Sequence, residues 1–91
     1  RMIVAPFVRD AQLFIRDSGF YPRECKTVTR LEQLRGYDFR PRPGMPRNAG
    51  WEVWWLGGHW PLATRRDIDR RNELYAHLRY VLGADVRHWY T

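Results

Sequence analysis

The stretch WEVWWLGGHW, residues 51–60, holds four of the chain's five tryptophans around a Gly-Gly pair. Its reading decides the fold. As a strand covered on both faces, Trp51 to Leu56 is the continuous apolar run that a central parallel strand requires. Trp51, Val53 and Trp55 then point to one face and Trp54 and Leu56 to the other, each under a helix. As a hairpin, WEVWWL turns at Gly57-Gly58 and returns as HWPLA. That gives an α+β fold with a Trp-rich hairpin at 51–63 and tryptophans presented to solvent. Pro61 opposes the hairpin, because proline gives no N–H to a ladder and is confined to an edge.

The flanking segments favour the parallel strand. MIVAPFV at 2–8 is a short β-branched run, and Arg9 to Ser18 follows with Ala11, Phe14, Ile15 and Ser18 at helical spacing before Gly19. CKTVT at 25–29 is a second strand, and RLEQLRG at 30–36 a helical turn or two. The Pro/Arg-rich segment 37–50, with three prolines and two glycines, is a loop. After the tryptophan stretch, Thr64 with Asp67 forms a variant capping box. Ile68, Leu74, Tyr75, Leu78, Val81 and Leu82 recur at helical period up to Gly83, and Asp67 with Arg71 is an i,i+4 pair. ADVRHWYT closes the chain as a last strand. Strands alternating with helices predict a small three-layer α/β domain, 1–91, with a mainly parallel four-stranded sheet in the order 2-1-3-4.

Ninety-one residues allow one modest core, and 44% hydrophobic with 29% charged residues is globular composition. No apolar run approaches membrane length, and a lone cysteine, Cys25, makes no intrachain disulfide, so a reduced cytoplasmic location is expected. Met2 reads as the natural start, with Arg1 a leftover residue ahead of it. The net charge is +6, carried by sixteen basic residues of which only Lys26 is lysine. Such arginine usage points to a high-GC genome.

Ligands of a parallel sheet meet it at the carboxyl ends of its strands. Arg9, Gly57, Gly58, His59 and Trp60 fall there and would line an anion or ligand crevice. Arg65 and Arg66 open the long helix, where N–H groups and dipole already favour an anion. The loop APFVRDAQ lacks the glycines and the Lys-Ser/Thr of a phosphate-binding loop, which argues against an NTPase or dinucleotide enzyme, and no cofactor is expected. Glu24-Cys25-Lys26, with Asp10 and Asp17 upstream, is the one nuclease-like pattern, and it is short. His59, His77 and His88 lack metal-ligand spacing, so no metal site is expected, nor is a nucleophilic triad.

What remains is the basic balance. Arg40, Arg42 and Arg47 in the loop and Arg65, Arg66, Arg70 and Arg71 on the long helix form a candidate footprint for nucleic acid, bound non-specifically. Tyr37, Phe39 or Trp60 would add stacking. A strand, a helix, VTRLEQLRG, a loop, WEVWWLGG, a long helix and a final strand together resemble small uncharacterised accessory proteins of actinobacteriophages with a reduced Rossmann-like, P-loop-like fold. The similarity lies in Thr29 to Gly36 and Val53 to Gly58. It implies a non-catalytic binder in the host cytoplasm. The alternative is a protein-interaction module, such as a host inhibitor, that uses Trp60, Tyr37 and Trp89 on a host or phage protein or in a homo-oligomer.

Overall fold

In the computed structural model, which describes residues 1–90, four strands form one all-parallel sheet: β1 (Met2–Val4), β2 (Lys26–Val28), β3 (Val53–Leu56) and β4 (Val86–Trp89), in the order β2-β1-β3-β4. Helix α1 (Val8–Ser18) links β1 to β2, and helix α2 (Arg65–Ala76) links β3 to β4. The hairpin is not formed. Gly57–His59 make a single tight helical turn, and residues 60–64 run on to α2 without pairing back.

The two faces of β3 divide as the alternation of its side chains requires. Val53 and Trp55 join Met2, Val4 and Val28 under α2, with Leu34, Phe39, Leu74 and Leu78. Leu56 joins Ile3 and Ala5 under α1, with Ala11, Phe14 and Ile15, and Trp54 packs at their margin. The tryptophan stretch is therefore core. Trp55 is 2% exposed, stacks on Trp60 at 4.9 Å with an interplanar angle of 9°, and meets Tyr75 edge-on.

Element ends differ from expectation for local reasons. β1 is three residues rather than seven, because Pro6 has no N–H and α1 begins at Val8. The turn after β2 is a short tight helix, Leu31–Leu34, held by Gln33, whose Oε1 accepts from the Thr29 and Arg30 N–H groups at 2.7 and 3.0 Å. The capping box of α2 forms as expected: Asp67 N–H donates to Thr64 Oγ1 and Thr64 N–H to the Asp67 carboxylate. Asp67 is thus used at the cap, and Arg71 bonds Asn72 rather than Asp67. Beyond Ala76 the helix widens into a π turn, His77–Val81, before Gly83 reverses the chain at φ 74°.

The loop at 37–50 is more ordered than its prolines suggest. Phe39 is 1% exposed and its N–H donates to the Leu82 carbonyl at 2.9 Å. Asn48, with φ 55°, brackets the backbone of Asp85: its Nδ2 donates to the Asp85 carbonyl at 2.7 Å and its Oδ1 accepts the Asp85 N–H at 2.9 Å. The loop is thereby pinned to the amino end of β4.

Candidate functional site

The strand order reverses between β1 and β3, so the carboxyl edge of the sheet is where a ligand crevice would open. After β1 comes Phe7, the N-cap of α1, whose side chain makes no capping hydrogen bond and is 49% exposed. The Asp10 N–H turns back to the Phe7 carbonyl at 3.1 Å, and no side chain caps the start of the helix beside Arg9. Arg30 follows β2, and Arg65 and Arg66 open α2.

Arg70 binds this edge together. Its Nη2 donates to the carbonyls of Pro6 and Thr29, each at 2.8 Å, and its guanidinium lies 5.2 Å from the Trp60 ring and 6.0 Å from Phe7. The last ladder bond between β1 and β2 is Ala5 N–H to Val28 carbonyl. One residue further on each strand the chains part, and Arg70 supplies the next rung. The footprint expected on the long helix included Arg70; it is instead half-buried and tied to backbone.

The arginines read as one footprint are not brought together. A Cβ on Gly83 would lie 2.7 Å from Arg40 Cγ, so the loop carrying Arg40 and Arg42 abuts the C-terminal end of α2. Arg47 sits at the amino end of β4, bonded to Asp85 at 2.6 Å. Arg65 and Arg66 stand at the other end of the helix, about 25 Å away over the seventeen residues 65–81 at 1.5 Å each. The loop arginines are also neutralised. Arg40 and Arg42 both donate to Asp38, and the hydrogen bond from Arg40 above all holds its carboxyl well below the usual carboxylate range. Arg47 lowers Asp85 in the same way.

Of the helix arginines, Arg65 pairs with Asp69 at 3.1 Å. Arg9, Arg30 and Arg66 are exposed and have no carboxylate partner among the described residues. All three belong to the carboxyl edge. Arg30 is the residue that charge clustering missed, because it stands apart from the other arginines in sequence and comes to the edge that carries Arg9 only through the pairing of β1 with β2.

The crevice residues are placed as expected at this edge, but their surroundings differ. A Cβ on Gly57 would lie 2.6 Å from Tyr90 Cε1, and one on Gly58 would overlap the Tyr90 carbonyl. The glycines admit the end of β4, and that backbone fills the space above them. His59 Nδ1 is 3.5 Å from Asp10 Oδ1. Trp60 is 6% exposed and its Nε1 has no hydrogen-bond partner among the described residues. It is a core ring and not a surface for stacking or docking. Phe39 is buried likewise, and Tyr37 is half-buried against Phe39 and Trp51. Trp89 keeps 40% exposure, with its ring against Phe14 and Trp54.

The nuclease-like residues do not converge. Glu24 and Lys26 lie at the amino end of β2, whereas Asp10 is at the carboxyl edge. Among the described residues no three His, Cys, Asp or Glu side chains gather as metal ligands. No helix among them is long and apolar enough to cross a membrane. No family model, curated protein or solved structure matches the chain.

Proposed function

We propose that the protein is a non-catalytic accessory factor, of the actinobacteriophage kind its sequence resembles, that binds nucleic acid through the phosphate backbone at the carboxyl edge of its sheet. One observation carries the reading: the loop arginines Arg40, Arg42 and Arg47 and the helix arginine Arg65 are answered by carboxylates, while Arg9, Arg30 and Arg66 at this edge have no carboxylate partner among the described residues. They flank the uncapped start of α1, whose N–H groups and dipole favour an anion. Arginine suits the task, since its planar fork takes two phosphate oxygens at once. With about three phosphates engaged, binding is weak at physiological salt, insensitive to sequence, and falls with a log–log salt slope of about −2.7 on duplex DNA.

Fluorescence anisotropy on a short duplex across a salt series tests this. Arg9→Ala, Arg30→Ala and Arg66→Ala together flatten the slope to near zero, whereas Arg40→Ala, Arg42→Ala and Arg47→Ala together leave it nearly unchanged. Equal loss in both triple variants refutes the assignment to the carboxyl edge. Absence of binding by the parent protein at low salt refutes nucleic-acid binding altogether and favours the protein-interaction reading, for which the exposed Trp89 is the remaining surface aromatic of the three singled out in the sequence.

A further inference from the structure

A pocket of about 220 Å³ opens between α2 and the edge strand β4, beside the carboxyl end of β3. Trp55, Tyr75, His88 and Tyr90 supply four aromatic rings to its wall, Gly57 lies at its margin, and Arg71 is its cation. Among the described residues no carboxylate side chain lines it. The register of the sheet builds it. His88 is the β4 partner of Trp55 and so shares its face, and Tyr90 comes two residues later on that same side. The His88 and Tyr90 rings are parallel within 5° at 5.7 Å, and Tyr90 Oη is 3.2 Å from His88 Nδ1. Tyr75 stands 6.0 Å from His88. Gly57 lets the Tyr90 ring close down over β3, because any side chain there would strike it.

We infer that this pocket receives one nucleobase, with its phosphate on Arg71, and therefore that the nucleic acid bound is single-stranded. Rings on several sides select a planar aromatic group, and the Arg71 guanidinium, which no carboxylate side chain of the described residues opposes in the pocket, selects an anion over a cation. Arg71 is available for it: its one hydrogen bond among the described residues is to its neighbour Asn72 at 3.1 Å. The volume is below the ~300 Å³ at which drug-sized sites begin, so the occupant is a single ring system with its sugar phosphate outside. Bases of a duplex are stacked inward and cannot enter, whereas unpaired bases stack on aromatic side chains whatever their sequence. The inference rests on the phosphate-binding reading for the polymer, and adds to it the end of the strand that leaves the Arg9, Arg30 and Arg66 edge. Arg71 is the next residue after the Arg70 rung and about 100° further round α2, which turns it from β1 and β2 toward β4.

Two measurements separate the inference from the reading it extends. In NMR titrations with adenosine monophosphate, the imidazole resonances of His88 and the ring resonances of Tyr90 shift, and ribose 5-phosphate at the same concentration leaves them in place. In anisotropy titrations a single-stranded oligonucleotide binds more tightly than a duplex of equal length. Tyr90→Ala and Arg71→Gln each weaken the single strand about tenfold with little effect on the duplex. Tyr90 is 69% exposed, so its variant folds, which an unchanged melting temperature verifies. Pocket resonances that ignore the mononucleotide, or a Tyr90→Ala variant that keeps full single-strand affinity, overturn the inference. If the mononucleotide shifts the pocket while neither polymer binds, the arginine edge reading fails and the pocket stands.

Discussion

Replacing Arg70 by methionine keeps the aliphatic stem and removes two hydrogen bonds from a charged donor to carbonyls of the buried residues Pro6 and Thr29. Hydrogen bonds to charged groups contribute about 1.5–3 kcal/mol each, and an acceptor left dry costs more than one exposed to water. Both bonds here leave one nitrogen, and the side chain is half-buried, so the two are not additive and the lower part of the range applies. The loss of the cation over Trp60 adds roughly 0.5–1 kcal/mol. Arg70→Met should therefore destabilise by about 2–4 kcal/mol, which for a domain this size lowers the melting temperature by about 10–20 °C. Arg70→Lys recovers at most half, because the lysine side chain ends one bond short of the Nη2 position from which both carbonyls are reached, and its ammonium has no planar face to lay on Trp60. Arg66→Met, one turn earlier and exposed, serves as the control and stays within ~0.5 kcal/mol of the parent. Thermal unfolding followed by circular dichroism reads all three. An Arg70→Met variant that melts with the parent shows that water satisfies the two carbonyls and that Arg70 is a surface residue after all, free to contact phosphate.

Trp55→Ala removes a ring that is 2% exposed and stacked on Trp60, and should cost ~3–5 kcal/mol in urea unfolding; a cost below ~1 kcal/mol contradicts its place in the core. Gly58→Ala puts a methyl group into the Tyr90 carbonyl and should cost ~1–3 kcal/mol, with the amide resonances of β4 shifting most; an unperturbed β4 means its end does not rest on the glycines. Glu52 is lowered in pKa mainly by the hydrogen bond from Trp54 Nε1 at 2.6 Å, with Arg1 assisting. A depressed carboxyl stabilises the fold above its unfolded pKa of ~4.3 and loses that contribution as pH falls through the lower folded value. Parent and Glu52→Gln should thus differ in stability at pH 7 and converge toward pH 3, and a difference that stays constant with pH rules out ionisation of Glu52 as its source.

The fold was legible because its signals are local and agree with one another. The unbroken apolar run at 53–56, the Thr64 and Asp67 cap, and Gly19 and Gly83 each act within a few residues, and strands alternating with helices leave few topologies once crossovers are required. The site was less legible. Clustering along the chain grouped Arg40, Arg42 and Arg47 with Arg65 and Arg66, but a helix of about 25 Å holds the two sets apart. Asp38 and Asp85 answer the loop set across loop and strand contacts that spacing cannot express. The same holds for aromatics. Composition gave no means of telling Trp60, which turns inward onto Trp55, from Tyr90, which stays out. The physical reason is that the sequence carries side-chain periodicity within each element, which settles what is buried under what. Parallel pairing joins residues 24 apart at Ile3 and Thr27 and 33 apart at Trp55 and His88. Only that register sets Arg9 and Arg30 at one edge of the sheet, and brings Arg70 to two strand ends and His88 and Tyr90 to Arg71.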